Sequence, residues 1–172
     1  MHNVEIFNCS QINTMKAAIR FEGASGKWSH ISGCSLHNGH GWAINIVSSA
    51  NVKIENNVAF SFKPIGLAIM TSSNITIDNN IVAHIYERVL DADFIVDRRA
   101  AYTICALLEN DKCRNIKITR NIAAGAAYAG FVMPGHDCGV YDDTISHNIA
   151  HSIEGFKGGM GAVILPDASR IQ

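Results

Sequence analysis

A histidine framed by glycines, Gly39-His40-Gly41, and fifteen scattered carboxylates are the features of this chain that could do chemistry. Cleaving a glycosidic bond takes two carboxyl groups held about 5 to 9.5 Å apart across the sugar, one as acid and one as nucleophile or base. Ahead of His40 the acids are Glu5 and Glu22 alone, and the adjacent pair Asp142-Asp143 comes far downstream. The other histidines, among them His30, His37, His84, His136, His147 and His151, are distributed along the chain rather than gathered. A solitary turn histidine is ordinarily a hydrogen-bonded structural residue, so no catalytic residue, metal or cofactor is expected. Five cysteines without a Cys-x-x-Cys pair do not resemble zinc ligands.

Whatever these groups do, a repeat positions them. Asn-(Val/Ile)-x-Ile-x-x-Asn occurs at Asn51–Asn57, Asn74–Asn80 and Asn115–Asn121, and more weakly at Asp142–Asn148. Two further copies, Asn3–Cys9 and Trp28–Cys34, place cysteine last. The starts are 25, 23, 23, 41 and 27 residues apart, and a period in the low twenties marks a solenoid. Leucine-rich repeats share the period, but Leu is sparse. Within each copy apolar and polar residues alternate, the period of a strand. Second strand-like runs, Trp42–Val47 and Leu67–Met70, end in paired serines, and Gly41, Gly66, Gly130 and Gly161 open such strands. The expected fold is all-β, a right-handed parallel β-helix of about 22–27 residues per coil with one insertion. A β-sandwich with accidental Asn turns is the alternative.

Stacked coils place equivalent residues about 4.8 Å apart. One column should therefore hold Cys9, Cys34, Asn57, Asn80, Asn121 and Asn148, beside an apolar column of Ile6, Ile31, Ile54, Ile77, Ile118 and Ile145. An Asn amide both donates and accepts, so its column can hydrogen-bond along its length. In that register Cys9 and Cys34 become candidates for a disulfide, as do Cys113 and Cys138, about one coil apart. Cysteine as a mere slot-filler is the other reading, and Cys105 is left over as a small buried hydrophobe.

The 41-residue step exceeds its neighbours by about 18 residues, assigned to an insertion at about 85–101. From Glu87 to Arg99, seven of thirteen residues are charged, against 17% for the chain. Solenoid insertions emerge on one face, commonly the binding face. Glu87, Arg88, Asp91, Asp93, Asp97, Arg98 and Arg99 are thus candidate partner contacts, unless they form a salt-bridged cover. Asn8-Cys9-Ser10 and Asn74-Ile75-Thr76 are glycosylation sequons. Asn8 is the better candidate if Asn74 is turned into a ladder. A net charge of −1 without a basic stripe argues against nucleic acid, and no apolar run approaches the length of a membrane span. Neither end shows a polar cap, so the chain is expected to be a segment of a longer β-helical protein.

Gly-His-Gly also occurs in polygalacturonases, which are parallel β-helices. There an Asn-Thr-Asp and an Asp-Asp precede it and an Arg-Ile-Lys follows; here they do not. No column of Asp or Glu is expected on neighbouring coils, which also removes the calcium and Lys/Arg arrangement of a pectate lyase. Gly39 and Gly41 then read as turn residues at positive φ. The chain resembles the β-helical ectodomain repeats of fibrocystin and fibrocystin-L. The residues that carry the likeness are Met15–Phe21, Val58-Ala59-Phe60, Asn121–Gly125 and Gly130–Cys138. That resemblance implies a non-enzymatic scaffold at the cell surface or ciliary membrane. Its partners would be other segments of its own long chain, or a protein or glycan. Related cell-surface hyaluronidases share the helix, so a carbohydrate-active enzyme is the alternative function, with a tailspike-like binding module third. Two acids facing one groove on adjacent coils would favour the enzyme; an acid-poor face with disulfides would favour the scaffold.

Overall fold

The computed structural model describes residues 1–11, 14–24, 28–86, 100–105, 113–133, 144–154 and 161–164. Alternating sequence becomes short strands joined by tight corners. In chain order they are β1 (Glu5–Phe7), β2 (Ile19–Glu22), β3 (Ser29–Ser32), β4 (Ser35–His37), β5 (Ile44–Val47), β6 (Ala50–Glu55), β7 (Val58–Phe62), β8 (Leu67–Met70) and β9 (Ser73–Asp78). There follow β10 (Ile81–Ile85), β11 (Ala100–Ile104), β12 (Arg114–Thr119), β13 (Ile122–Ala126), β14 (Ala129–Val132), β15 (Thr144–Ser146), β16 (Ile149–His151) and β17 (Gly161–Ile164). Each strand pairs with the third one along. The first sheet is β1-β4-β7-β10-β13-β16, the second β2-β5-β8-β11-β14-β17 and the third β3-β6-β9-β12-β15. The pairs are parallel. A chain that returns to the same sheet after every third strand is a three-sided solenoid, a parallel β-helix.

The interior is assembled column by column. On the third sheet Ile31, Ile54, Ile77, Ile118 and Ile145 are in register. Val52, Ile75 and Ile116 form a second column, and those from Ile31 to Ile118 are all buried. The second sheet supplies Ile44, Leu67, Tyr102 and Phe131 in one column. Tyr102 and Phe131 stack at 4.8 Å between ring centroids. Opposite these bulky groups the first sheet presents Ala59, Val82 and Ala123. A Cβ on Gly66 would lie 2.2 Å from Val82, and one on Gly130 2.7 Å from Ala150. Close approach of two sheets, not backbone freedom, therefore requires these glycines. On the outer side of the second sheet Asn45, Ala68, Thr103 and Val132 are also buried, with Met15 and Ala17 among the residues that pack there.

The Tyr102 hydroxyl donates to the Asn80 carbonyl at 3.1 Å, with that of Ile122 at 3.3 Å. Burial pushes this phenol well above its ordinary value. Because the folded pKa is raised, the contribution is whole below pH about 10, the unfolded value, and is lost as pH climbs towards the folded one. Alkaline difference spectroscopy should show a tyrosine component that ionises late and together with unfolding. A single transition near the ordinary value would show Tyr102 to be accessible.

Two sequence expectations are corrected by the register. The first concerns the insertion. Ile81 lies 23 residues beyond its partner Val58, Tyr102 lies 35 beyond Leu67, and Ile116 lies 41 beyond Ile75. Twelve extra residues thus enter between β10 and β11, and six more between β11 and β12. Ile85, Ala100 and Ala101 belong to strands, not to an insertion at 85–101. Glu87, Arg88, Asp91, Asp93, Asp97, Arg98 and Arg99 lie outside the described residues. The preceding coil makes the same corner with residues 63–66. Replacing 87–99 by a single residue, which restores the 23-residue step of the preceding coil, should leave the far-ultraviolet strand signal intact, since it removes no ladder position. Loss of that signal would mean that the segment completes a coil.

The second correction is the first copy. Glu5 pairs with Ser35 and His2 with Ser32, so Asn3 and Val4 fall beside Gly33 and Cys34. Ile6 therefore joins Leu36, Ala59 and Val82 on the first sheet, not Ile31 on the third. The Asn-x-x-Ile spacing fits either corner, which is why the pattern alone mis-registers it.

Candidate functional site

Each position of the Asn motif has a separate structural task. Its first residue, Asn51, Asn74 or Asn115, has positive φ, and the three side chains join in a row, Asn115 Nδ2 donating to Asn74 and Asn74 Nδ2 to Asn51. The two apolar residues point inward. At the sixth position Gly33, Asn56, Asn79, Arg120 and His147 all have φ between 56° and 64°, save 52° at Asn79. Asn and Gly tolerate this left-handed turn best. The seventh residue enters the interior. Asn57, Asn80, Asn121 and Asn148 form an internal ladder, in which each Oδ1 accepts from the backbone N–H of the residue one coil before. Each Nδ2 reaches back to a carbonyl of the preceding coil: Ile31, Ile54, Ile77 and Ile118 in turn. Cys34 ends the row, donating its N–H to Asn57 Oδ1 at 2.8 Å.

The cysteine pairing expected from the repeat is not what forms. Cys113 is bonded to Cys105, eight residues away, with Cα atoms 6.1 Å apart. The bond closes the second of the two enlarged corners, so Cys105 is no leftover hydrophobe. Cys138 lies outside the described residues. Cys9 and Cys34 are free, because the shifted first copy places Cys9 beside the Gly39-His40 turn, where its carbonyl accepts from the His40 N–H. Replacing Cys105 and Cys113 with Ala should lower stability by about 2.5 kcal/mol, the loop-closure value for so short a loop. Equilibrium urea unfolding would measure it, and an unchanged midpoint would show the bond to be idle. Of the two sequon asparagines, Asn74 is committed to its row, while Asn8 is exposed.

Carboxylates do recur on neighbouring coils, contrary to expectation. Glu55 and Asp78 are register partners on the third sheet, about one strand spacing apart, with Ser32 and Thr119 on either side. The signal was present in the sequence: both acids occupy the fifth position of consecutive motif copies. Neither carboxylate is open. Glu55 holds Lys53 at 2.9 Å and His30 at 2.8 Å, one on each oxygen. Asp78 accepts from the Thr119 hydroxyl at 2.7 Å and pairs with the Arg120 guanidinium. Lys53, with help from His30, holds the Glu55 carboxyl below the usual carboxylate range although burial opposes it. A depressed pKa means that this pair stabilises the fold above the ordinary glutamate value, and that the contribution is lost as pH falls through the lower folded one. A general acid at neutral pH needs the opposite shift.

The Gly39-His40-Gly41 turn is built by crowding. Neither glycine has positive φ, correcting the expectation. A Cβ on Gly39 would lie 2.0 Å from Phe62, and one on Gly41 2.5 Å from the Gln11 carbonyl. Ser10 Oγ accepts from the Gly41 N–H at 2.7 Å. The His40 side chain makes no hydrogen bond or ion pair with another described residue.

Sequence reasoning also missed the outer side of the first sheet, where several large apolar side chains are exposed among polar ones. Val58, Ile81 and Ile149 share one column and are 40%, 39% and 54% exposed. The next outward column is Phe7, His37, Phe60, Ala83, Ala124 and His151. Phe7 stacks on His37, which also meets Glu5 at 2.9 Å. Phe60 leans on His84, His84 on Tyr86, and Lys63 Nζ sits 4.3 Å above the Tyr86 ring. Period-two alternation reports which residues face out, but these strands carry β-branched and aromatic residues on both faces.

Three parallel sheets round an asparagine-laddered interior define a β-solenoid on which the register-paired acids Glu55 and Asp78 are both engaged. Its sequence matches the pattern of the right-handed beta helix region over residues 1–145. The chain belongs to that family. No curated protein and no solved structure matches it.

Proposed function

We propose that this chain is a non-catalytic structural and adhesive β-helix module of a larger, fibrocystin-like cell-surface or ciliary glycoprotein. The observation that carries the reading is the engagement of both register-paired acids: every carboxylate oxygen of Glu55 and Asp78 has a lysine, arginine, histidine or hydroxyl partner. Such a pair can neither protonate a leaving group nor attack a sugar without first breaking the contacts that hold the sheet surface together. The Cys105–Cys113 bond supports an oxidising, extracellular setting, and exposed Asn8 is the favoured glycan acceptor. Partners would be neighbouring segments of the longer chain, or a protein or glycan at the cell surface, with no role for nucleic acid or for membrane contact by this segment.

One observation favours the second reading, a carbohydrate-active enzyme: Glu55 and Asp78 do lie on adjacent coils of one sheet. Incubation with hyaluronan or polygalacturonate, followed by chain-length analysis, separates the two. No depolymerisation is expected. Cleavage that disappears on Glu55→Gln, Asp78→Asn or His40→Ala would replace the scaffold reading with the enzyme.

A further inference from the structure

We infer that the exposed ring of Phe7 is the docking platform for a glycan carried on Asn8, whose first N-acetylglucosamine lies flat on the ring and covers it. The inference rests on the reading of Asn8 as a glycan acceptor and adds where the sugar goes and what holds it.

The acceptor is free to react. Asn8-Cys9-Ser10 is an intact sequon, Asn8 is exposed, and its side chain makes no hydrogen bond with another described residue. In the second sequon the Asn74 amide is engaged with Asn51 and Asn115. Glycosylation joins Asn8 Nδ2 to C1 of the sugar, breaking the C1–O bond to the donor, a lipid-diphosphate oligosaccharide. The lipid diphosphate leaves, and the amide gives up one proton.

Backbone geometry brings the two side chains to the same surface. Successive side chains of a strand point to opposite faces, which would send the residue after Phe7 inward. Asn8 instead has a φ of 50°. This left-handed residue breaks the alternation, so Phe7 and Asn8 are both exposed. The Asn8 N–H donates to the His37 carbonyl at 3.3 Å, which fixes the point from which a glycan departs.

The ring is braced from behind. One face of Phe7 is stacked on His37, with ring centroids 5.6 Å apart and planes 9° from parallel, and His37 is tied in turn to Glu5 Oε1 at 2.9 Å. The other face meets no ring among the described residues, and Phe7 is 55% exposed. A pyranose carries C–H groups on its faces and hydroxyls round its rim. It can therefore cover an aromatic face, whose π cloud attracts the C–H groups, while its hydroxyls stay in water. Glu5 Oε2 makes no hydrogen bond with another described residue and can accept from a rim hydroxyl. Such contacts are weak singly, but a covalent tether raises the effective concentration of the sugar at the ring to about the millimolar range.

The 172-residue chain, secreted from a eukaryotic cell line fed isotope-labelled glucosamine, tests the inference. Mass spectrometry should find a glycan on Asn8 and none on Asn74. Protons of the first N-acetylglucosamine should resonate upfield of those in the same glycan on the urea-unfolded chain, because they lie over an aromatic ring. Phe7→Leu should abolish that shift with the strand signal unchanged. Against the same chain made in a host that adds no glycan, Tm should be higher by about 2 to 4 °C, the effect of one ring contact in a chain of this size. Phe7→Leu should erase most of the gain. If that variant disturbs the strand signal, enzymatic removal of the glycan from the unaltered chain makes the same test, and the Phe7 ring resonances should move. An occupied Asn8 whose sugar protons keep their unfolded positions, or stay shifted in Phe7→Leu, overturns the inference and leaves the acceptor reading standing. A secreted chain with Asn8 unmodified overturns both.

Discussion

Asn80→Leu is expected to remove about 2 to 6 kcal/mol of stability, the largest loss expected from any single change in this chain described here. The side chain is buried in the middle of the ladder. Its Oδ1 accepts from the backbone and side-chain nitrogens of Asn57, both at 3.0 Å. Its Nδ2 serves the Ile54 and Asp78 carbonyls and Asn121 Oδ1, each at 3.0 Å. Leucine has nearly the same volume, so little cavity forms. What remains is at least two buried backbone groups without partners, at about 1 to 3 kcal/mol each, in a fold whose whole stability is about 5 to 15 kcal/mol. Urea unfolding followed by circular dichroism measures the difference. A loss below about 1 kcal/mol would show that water or a neighbouring side chain takes over the bonds.

Ile77→Ala should cost about 2 to 5 kcal/mol, through lost burial and a cavity that the rigid stack cannot close. Ile77 is fully buried and pairs with Ile54 before it and Ile118 after it. Ile145 occupies the same column and yet is 46% exposed. Ile145→Ala should therefore cost under about 1 kcal/mol. Equal losses at the two positions would mean that burial on the third sheet does not follow the register described.

How much of this was legible in the sequence depends on how local each constraint is. The spacing of Asn51, Asn74 and Asn115 reveals the coil because a left-handed turn, two inward apolar residues and an inward amide must recur at fixed offsets within one corner. The ladder Asn57, Asn80, Asn121 and Asn148 follows from that same corner. Non-local facts were less accessible. Cys105 and Cys113 pair across a corner whose size becomes apparent only when strand partners on either side are known, so one-coil spacing pointed wrongly to Cys138. Asn3 satisfied the motif's spacing while belonging to a different corner, and Cys9 went astray with it. Glu55 and Asp78 were legible and overlooked: their shared motif position places them side by side, whereas only coordinates reveal that Lys53, His30, Thr119 and Arg120 occupy their oxygens. The exposed apolar side chains on the outer face of the first sheet were concealed because apolar residues there leave alternation without contrast.

All of these assignments rest on one continuous stack that passes the 41-residue step without a break in register. Native-state hydrogen exchange at the backbone amides of Asn57, Asn80 and Asn121 tests that most directly. Each of these N–H groups donates to the ladder amide of the next coil, at 3.0, 2.9 and 2.9 Å. A continuous ladder predicts slow exchange at all three, with opening free energies that agree and approach that of global unfolding. Fast exchange at Asn80, with Asn57 still protected, would place a break at the insertion and contradict the single stack.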